Sequence, residues 1–300
     1  MNSILEVSGL SKKYEGFLLD NISFSVPSGL IMGFIGPNGA GKTTTIKLIL
    51  NMISFESGEI KLFDMDNKKN AIPINEQIGI VMDSPFFVDE WSVSDVEKAV
   101  SSFYSNWDSK KYAELLAKFN IDPKKQVKEL SRGMKVKLML TVAMSHDAKL
   151  LILDEPTSGL DPVARDELCD LFSDFISDET KSILFSTHIT ADLEKIADYI
   201  TFILNGKIVF SGLKDDLIEK YMLIKGGLDE INSEQKNLII GFRKHSTGFE
   251  GMIEAEKMKS FSGNELLFEK ITIDEIIVFM SKPEDKYSDG KFEPFARRLK

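Results

Sequence analysis

A chain of 300 residues with a single cysteine has no disulfide framework to hold it. Cys169 falls in a run with helical spacing, so it reads as a small buried apolar side chain, and a reducing compartment is expected. No stretch reaches the roughly 18 consecutive apolar residues of a membrane span. Nor does a basic segment followed by an apolar one open the sequence, so the expectation is a chain that neither crosses a membrane nor is secreted. Basic charge is scarce too: 37 Lys and Arg stand against 47 Asp and Glu, a net charge of -10. That balance argues against nucleic acid as a partner, which would want a basic face. Low-complexity tracts and sustained heptads are missing as well. What remains is 43% apolar, enough for a packed core in one large domain or two modest ones.

The most informative stretch is Gly36-Pro37-Asn38-Gly39-Ala40-Gly41-Lys42-Thr43, a complete G-x-x-x-x-G-K-[ST] phosphate loop. It follows a strand-like apolar run, Leu30 to Ile35, and opens a helical segment, Thr44 to Met52. That context matters because the loop works only when its glycines let backbone N–H groups point at phosphates from a helix N-terminus. Lys42 is then placed to reach the β- and γ-phosphates, and the Thr43 hydroxyl to coordinate Mg²⁺.

Upstream, Ile4–Val7 and Ile22–Val26 read as short strands separated by a polar turn, Ser11 to Gly16. Tyr14 in that turn has little core to join, so its ring either stacks on a purine or faces solvent. Gly58–Phe63 and Ile78–Met82 read as strands, the latter stopped at Asp83-Ser84-Pro85. From Ser92 to Phe119 the spacing turns helical, with Val93, Val96, Val100 and Phe103 on one face and Ala113, Leu116 and Phe119 on a second helix. Leu130-Ser131-Arg132-Gly133-Met134 then precedes another helical run, in which Ser131 is a natural N-cap or part of a second anion site.

Lys149–Asp154 is a near-continuous apolar run, the pattern of a strand buried in a parallel sheet, and it ends in Asp154-Glu155-Pro156. Adjacent carboxylates at such a strand end suit Mg²⁺ binding by the first and polarisation of an attacking water by the second. Ser158-Gly159-Leu160-Asp161-Pro162 makes a turn into the helix Val163–Ile176. Ser182–Ser186 is a further strand, followed by Thr187-His188, where the histidine can contact a γ-phosphate. Tyr199–Leu204 and Lys207–Phe210 read as a hairpin through Asn205-Gly206.

These motifs in this order resemble the ATPase subunit of an ATP-binding cassette (ABC) transporter, over about Met1 to Tyr221. The resemblance implies an α/β phosphate-loop NTPase core, with an antiparallel β subdomain, a helical subdomain at about residues 84–145 and a small C-terminal α+β extension, residues 222–300. It implies ATP and Mg²⁺ as cofactors. Two subunits, identical or paralogous, would sandwich two ATP molecules between the phosphate loop of one and the signature of the other. On that reading Gly36 to Thr44 cradle the nucleotide and Tyr14 stacks on adenine. Thr43, Asp83 and Asp154 hold the metal, Glu155 is the general base, and His188 and Lys42 contact the γ-phosphate. Ser131 and Gly133 reach the partner's ATP, and Asp161 belongs to the intersubunit loop.

Two positions depart from the family pattern. Arg132-Gly133-Met134 replaces Gly-Gly-Gln after the signature serine, and Asp83 takes the place of a metal- and water-contacting glutamine. The combination is similar to regulator-linked bacterial exporters and exporters of phenol-soluble modulin-type amphipathic peptides. Their membrane subunit is a separate polypeptide, which puts the ATPase at the cytoplasmic face of the membrane. Ser84 to Trp91, with Pro85, Phe86, Phe87 and Trp91, would then form a partner groove, with Phe87 as its test position, or pack beneath the helical insert. Beyond the core, Gly226-Gly227 reads as a linker and Asn237–Phe242 and Leu266–Glu269 as strands. Thr272 to Glu275 reads as a capping box opening a helix to Met280, and Pro283–Lys300 as a mobile tail. Two other readings stay open from sequence alone: a soluble cassette ATPase acting on ribosomes or DNA, and a hydrolysis-impaired nucleotide sensor.

Overall fold

Strands β1 (Ser3–Tyr14) and β2 (Phe17–Pro27) pair antiparallel down to Tyr14 opposite Phe17, leaving only Glu15-Gly16 as the turn. Ser11 to Tyr14 are therefore strand, not the polar turn expected from their composition. Register shifts between Val7 and Leu10 and between Leu10 and Lys12 interrupt the alternation, so the second half of β1 loses its period-two signature. The computed structural model describes residues 2–262 and 265–281, which divide into two compact units between Ser211 and Gly212.

In the first unit, β3 (Ile31–Ile35) leads through the phosphate loop into α1 (Lys42–Ile49). Then follow β4 (Ser57–Leu62), β5 (Met65–Asp66), α2 (Ala71–Asn75) and β6 (Ile78–Val81). A helical segment holds α3 (Val93–Ser101), α4 (Ser109–Lys118) and α5 (Arg132–Met144). The chain returns through β7 (Leu150–Asp154), α6 (Pro162–Ile176), β8 (Ser182–Thr187), α7 (Thr190–Ile196), β9 (Tyr199–Leu204) and β10 (Lys207–Leu213). The strands form a four-stranded antiparallel sheet, β2-β1-β4-β5, and a six-stranded sheet, β10-β9-β3-β8-β7-β6, whose neighbours from β9 to β6 pair parallel. Every residue of β3, β7 and β8 is buried, which is why these read as continuous apolar runs. Asn205 and Gly206, both with positive φ, make the two-residue turn from β9 to β10. One apolar cluster joins the layers, from Leu5, Leu10 and Phe24 through Ile46 and Leu48 to Phe34, Ile152 and Leu184.

Each helix of the inserted segment starts on a side-chain cap that accepts a backbone N–H: Ser92 from Asp95, Asp108 from Lys111 and Ser131 from Met134. Val93 and Val96 are buried as expected, but Phe103 is 78% exposed, because α3 stops at Ser101 and Phe103 leaves its apolar face. On α4 the buried face runs through Tyr112, Leu115 and Leu116, with Ala113 exposed.

The second unit contains α8 (Lys214–Lys220), β11 (Tyr221–Gly226), α9 (Ser233–Lys236), β12 (Ile240–His245), β13 (Gly248–Glu254), β14 (Leu267–Lys270) and α10 (Ile273–Ser281). Its antiparallel sheet has the order β12-β13-β11-β14 over a core of Ile224, Ile239, Phe249, Ile253 and Phe261. Gly226 ends a paired strand and is not a linker, since its register with Phe249 continues that of β11. The capping box stands: Thr272 N donates to Glu275 Oε2 and Glu275 N to Thr272 Oγ1. Residues Pro283 to Lys300 lie outside the described residues. Among the described residues, no helix is long and apolar enough to cross a membrane.

Just past α5, His146 is buried and stacks on Tyr104 with ring centroids 3.9 Å apart. Its Nδ1 lies 3.3 Å from the Glu76 carbonyl and Nε2 has no partner. Burial pushes its pKa down from 6.5 to about 4, so the fold requires the neutral ring. A depressed folded pKa means stability that is complete above pH 6.5 and is lost as pH falls toward 4. In denaturant titrations at pH 7.5 and 4.5, His146→Phe should lose about 2–3 kcal/mol less stability than the wild type on acidification. An equal loss in both proteins would contradict this assignment.

Candidate active site

The phosphate loop curls where β3 ends. At Gly36 a Cβ would run into the carbonyl oxygen of Ile203, so only glycine fits against β9. Gly41 precedes α1 with φ 115°, a left-handed value that frees the first amide groups of the helix. Lys42 is buried, and its Nζ donates to the Gly36 carbonyl at 2.8 Å and stands 3.2 Å from Glu155 Oε1. Above the loop opens a cleft of about 650 Å3. It is lined by Pro37, Asn38, Gly39, Gly41, Lys42, Thr43 and Thr44 of the loop and helix start, by Asp83, Glu155, Ser158 and His188, and by Gly16 and Phe17. Ala40 is buried behind the loop.

At the end of β7, Asp154 is 1% exposed. Its Oδ1 accepts from Ser186 Oγ on β8 at 2.6 Å, while Oδ2 has no hydrogen-bond partner. A buried carboxylate oxygen left without a donor fits a cation. The Thr43 hydroxyl and the Asp83 carboxylate line the cleft itself, and all three residues offer the hard oxygen donors that Mg²⁺ takes together with phosphates. Glu155 adopts φ 52°, a left-handed conformation that costs a non-glycine residue on the order of 1–3 kcal/mol. Its N–H is held by the Ser186 carbonyl at 3.1 Å and Ser186 Oγ at 3.0 Å. The turn aims the side chain along the cleft, where both oxygens are engaged: Oε1 by Lys42 and Oε2 by His188 Nδ1 at 2.7 Å.

Ser131, Gly133 and Asp161 are not in the lining of this cleft. Asp161 caps α6, accepting from the N–H groups of Val163 and Ala164, and Leu160 packs beside Gly133. Tyr14 is also outside the lining; its ring is exposed at the tip of β1, with Lys12 Nζ 5.4 Å from the ring centroid. Phe87 is buried and Phe86 beside it is 59% exposed, so of these two rings it is Phe86, not Phe87, that is offered to solvent.

The ABC transporter family model matches residues 19–158. The lantibiotic transport ATP-binding protein SrtF of Streptococcus pyogenes is 36% identical over 210 residues, 69% of this chain and 89% of that protein. The bacitracin transport ATP-binding protein BcrA of Bacillus licheniformis is 32% identical over 213 residues, 70% of this chain and 69% of that protein. The chain belongs to the ABC transporter ATP-binding subunits. A solved ATP-binding subunit of an ABC transporter superposes with TM-score 0.64 at 28% identity, over 72% of this chain and 92% of that one. A dimeric ATP-binding cassette bound to ADP and phosphate shares the fold, with TM-score 0.63 at 17% identity, over 70% of this chain and 98% of the other.

Of the expected residues the cleft brings Pro37 to Gly39 and Gly41 to Thr44 together with Asp83, Glu155 and His188, whereas Gly36, Ala40 and Asp154 are outside its lining, Asp154 being the chain neighbour of Glu155 at the end of β7. Sequence reasoning missed Phe17, Ser158 and Ser186. The signal for Ser186 was a hydroxyl at the end of an otherwise apolar strand, and for Phe17 an aromatic immediately after the Glu15-Gly16 turn. Nothing in their spacing announced that they join the site.

Proposed function

We propose that this chain is the ATP-hydrolysing subunit of an exporter whose membrane-spanning part is a separate polypeptide. The observation that carries the reading is Glu155, held between Lys42 and His188 over an open phosphate loop. In the free chain the Lys42 charge is balanced by Glu155. A γ-phosphate arriving on the loop offers Lys42 a stronger anion, which releases Glu155 Oε1 to accept a proton from the attacking water. His188 keeps its hold on Oε2 and orients the carboxylate, with its Nε2 available to the γ-phosphate. Thr43, Asp154 and Asp83 would hold Mg²⁺, which would supply neutralisation of phosphate charge. Phe17 lines the cleft, where a nucleoside can pack, and Tyr14 can reach adenine only by turning its exposed ring inward.

Ser131, Gly133 and Asp161, outside this cleft, serve the nucleotide bound by a second cassette, identical or paralogous, arranged head to tail. Phe86, Val88 and Trp91 expose apolar surface beside the cleft segment and form the seat of the transmembrane subunit at the cytoplasmic face. Relatives named for lantibiotic and bacitracin transport support an amphipathic peptide as cargo.

Glu155→Gln should lower ATP turnover by at least about 100-fold while leaving ATP binding intact, and should accumulate an ATP-bound dimer on size-exclusion chromatography. Turnover within a few-fold of wild type would remove Glu155 from the role of base. Phe86→Asp should abolish co-purification with the transmembrane subunit and spare nucleotide binding; intact assembly would reject this seat.

A further inference from the structure

Asp83 and Arg132 stand 49 residues apart in the chain, and in the fold they meet. Arg132 Nη2 donates to Asp83 Oδ1 at 2.9 Å. Asp83 follows β6 and lines the cleft with Thr43 and Glu155, whereas Arg132 is the first residue of α5, directly after the Ser131 cap. The guanidinium also lies along the turn before α6: a Cβ on Gly159, which has φ 73°, would stand 3.2 Å from Arg132 Cζ and Nη1. One side chain thus spans the loop after β6, the start of α5 and the turn that leads to Asp161.

Stability does not account for the pair. Its side chains are 54% and 57% exposed, and an ion pair so hydrated contributes at most about 1 kcal/mol. Weakness suits a contact that is exchanged. The Asp83 carboxylate is a hard oxygen donor in the lining of the cleft, which the Thr43 hydroxyl shares, and such donors suit a divalent cation. The planar guanidinium of Arg132 is a fork of N–H donors matched to a carboxylate, so it is a natural holder of that group. Arginine and metal therefore draw on the same oxygen atoms.

We propose that Arg132 is a positioning residue that competes with the divalent cation for Asp83. Without nucleotide, Asp83 is held away by Arg132. Once the metal is bound with ATP, Asp83 turns toward it and the guanidinium is released at the start of α5, beside the residues offered to the second cassette. The occupancy of one cleft is thereby reported at the surface that serves the other. This inference rests on the ATP-binding reading above and adds to it a specific competition.

The test is Mn²⁺ binding by the full chain, followed by electron paramagnetic resonance with a non-hydrolysable ATP analogue present. Wild type, Arg132→Ala, Asp83→Ala and the double variant are compared; both positions are exposed, so the variants should fold. Arg132→Ala should bind Mn²⁺ about 3- to 5-fold more tightly than wild type, the fold-change expected when an exposed pair of this strength is removed. Asp83→Ala should bind it more weakly, and adding Arg132→Ala to Asp83→Ala should change nothing further. Unchanged Mn²⁺ affinity in Arg132→Ala would overturn the proposal. So would the same tightening in the Asp83→Ala background, which would reduce the effect to long-range charge. Failure of the wild type to bind the nucleotide analogue would defeat the ATP-binding reading, and this inference with it.

Discussion

Everything at the cleft depends on the register of three buried parallel strands. Ile35 pairs with Thr187 and Asp154 with Ser186, so β3, β8 and β7 end at one level. The segments that leave those ends are the phosphate loop, the His188 turn and the Asp154-Glu155 pair. Chemistry from three distant parts of the chain is assembled by backbone pairing alone, in the manner of open α/β sheets that bind ligands beyond the carboxyl ends of their strands. A slip of one residue in β7 would turn Asp154 away from Ser186 and every neighbouring side chain to the opposite face.

Within that frame the charges form a closed set before any nucleotide arrives. Lys42 is buried and would be costly there without an anion, and Glu155 provides it at 3.2 Å. His188 takes the other oxygen of the same carboxylate. The carboxylate proposed as general base is thereby restrained by groups that a triphosphate would itself attract, so on that proposal substrate binding and release of the base are one event. Asp154 remains the exception, since one of its oxygen atoms is buried and unpaired, and that deficit is what a divalent cation would remedy.

Much of this was legible in sequence because the relevant signals are local. The phosphate loop, the apolar run Leu150 to Asp154 and the Asn205-Gly206 turn each carry their conformation in adjacent residues. The strand from Ser3 to Tyr14 was only half legible, because its register shifts break the alternation by which strands are recognised. Phe103 was placed on one helical face with Val93, Val96 and Val100, since periodicity cannot show that α3 ends at Ser101. The contacts of Ser186 with Asp154 and of Arg132 with Asp83 are products of strand order and helix packing, and no spacing along the chain encodes them. Asp83 and Arg132 could each be seen as departures from a pattern, but not as a pair. Gly226 shows the converse error: two adjacent glycines suggested a linker, whereas the first completes the register of a paired strand.

The central claim is that a nucleotide on the phosphate loop of one copy is completed by the signature of another. It is tested most directly by mixing two disabled copies, one with Lys42→Ala and an intact signature, the other with Ser131→Arg and an intact phosphate loop. Each alone has only half-sites, whereas a mixed dimer has one complete site. The account predicts that neither copy alone traps nucleotide with vanadate and that the mixture does. Trapping by the Ser131→Arg copy alone, at the level of the wild type, would show that one chain needs no second signature and would contradict the account.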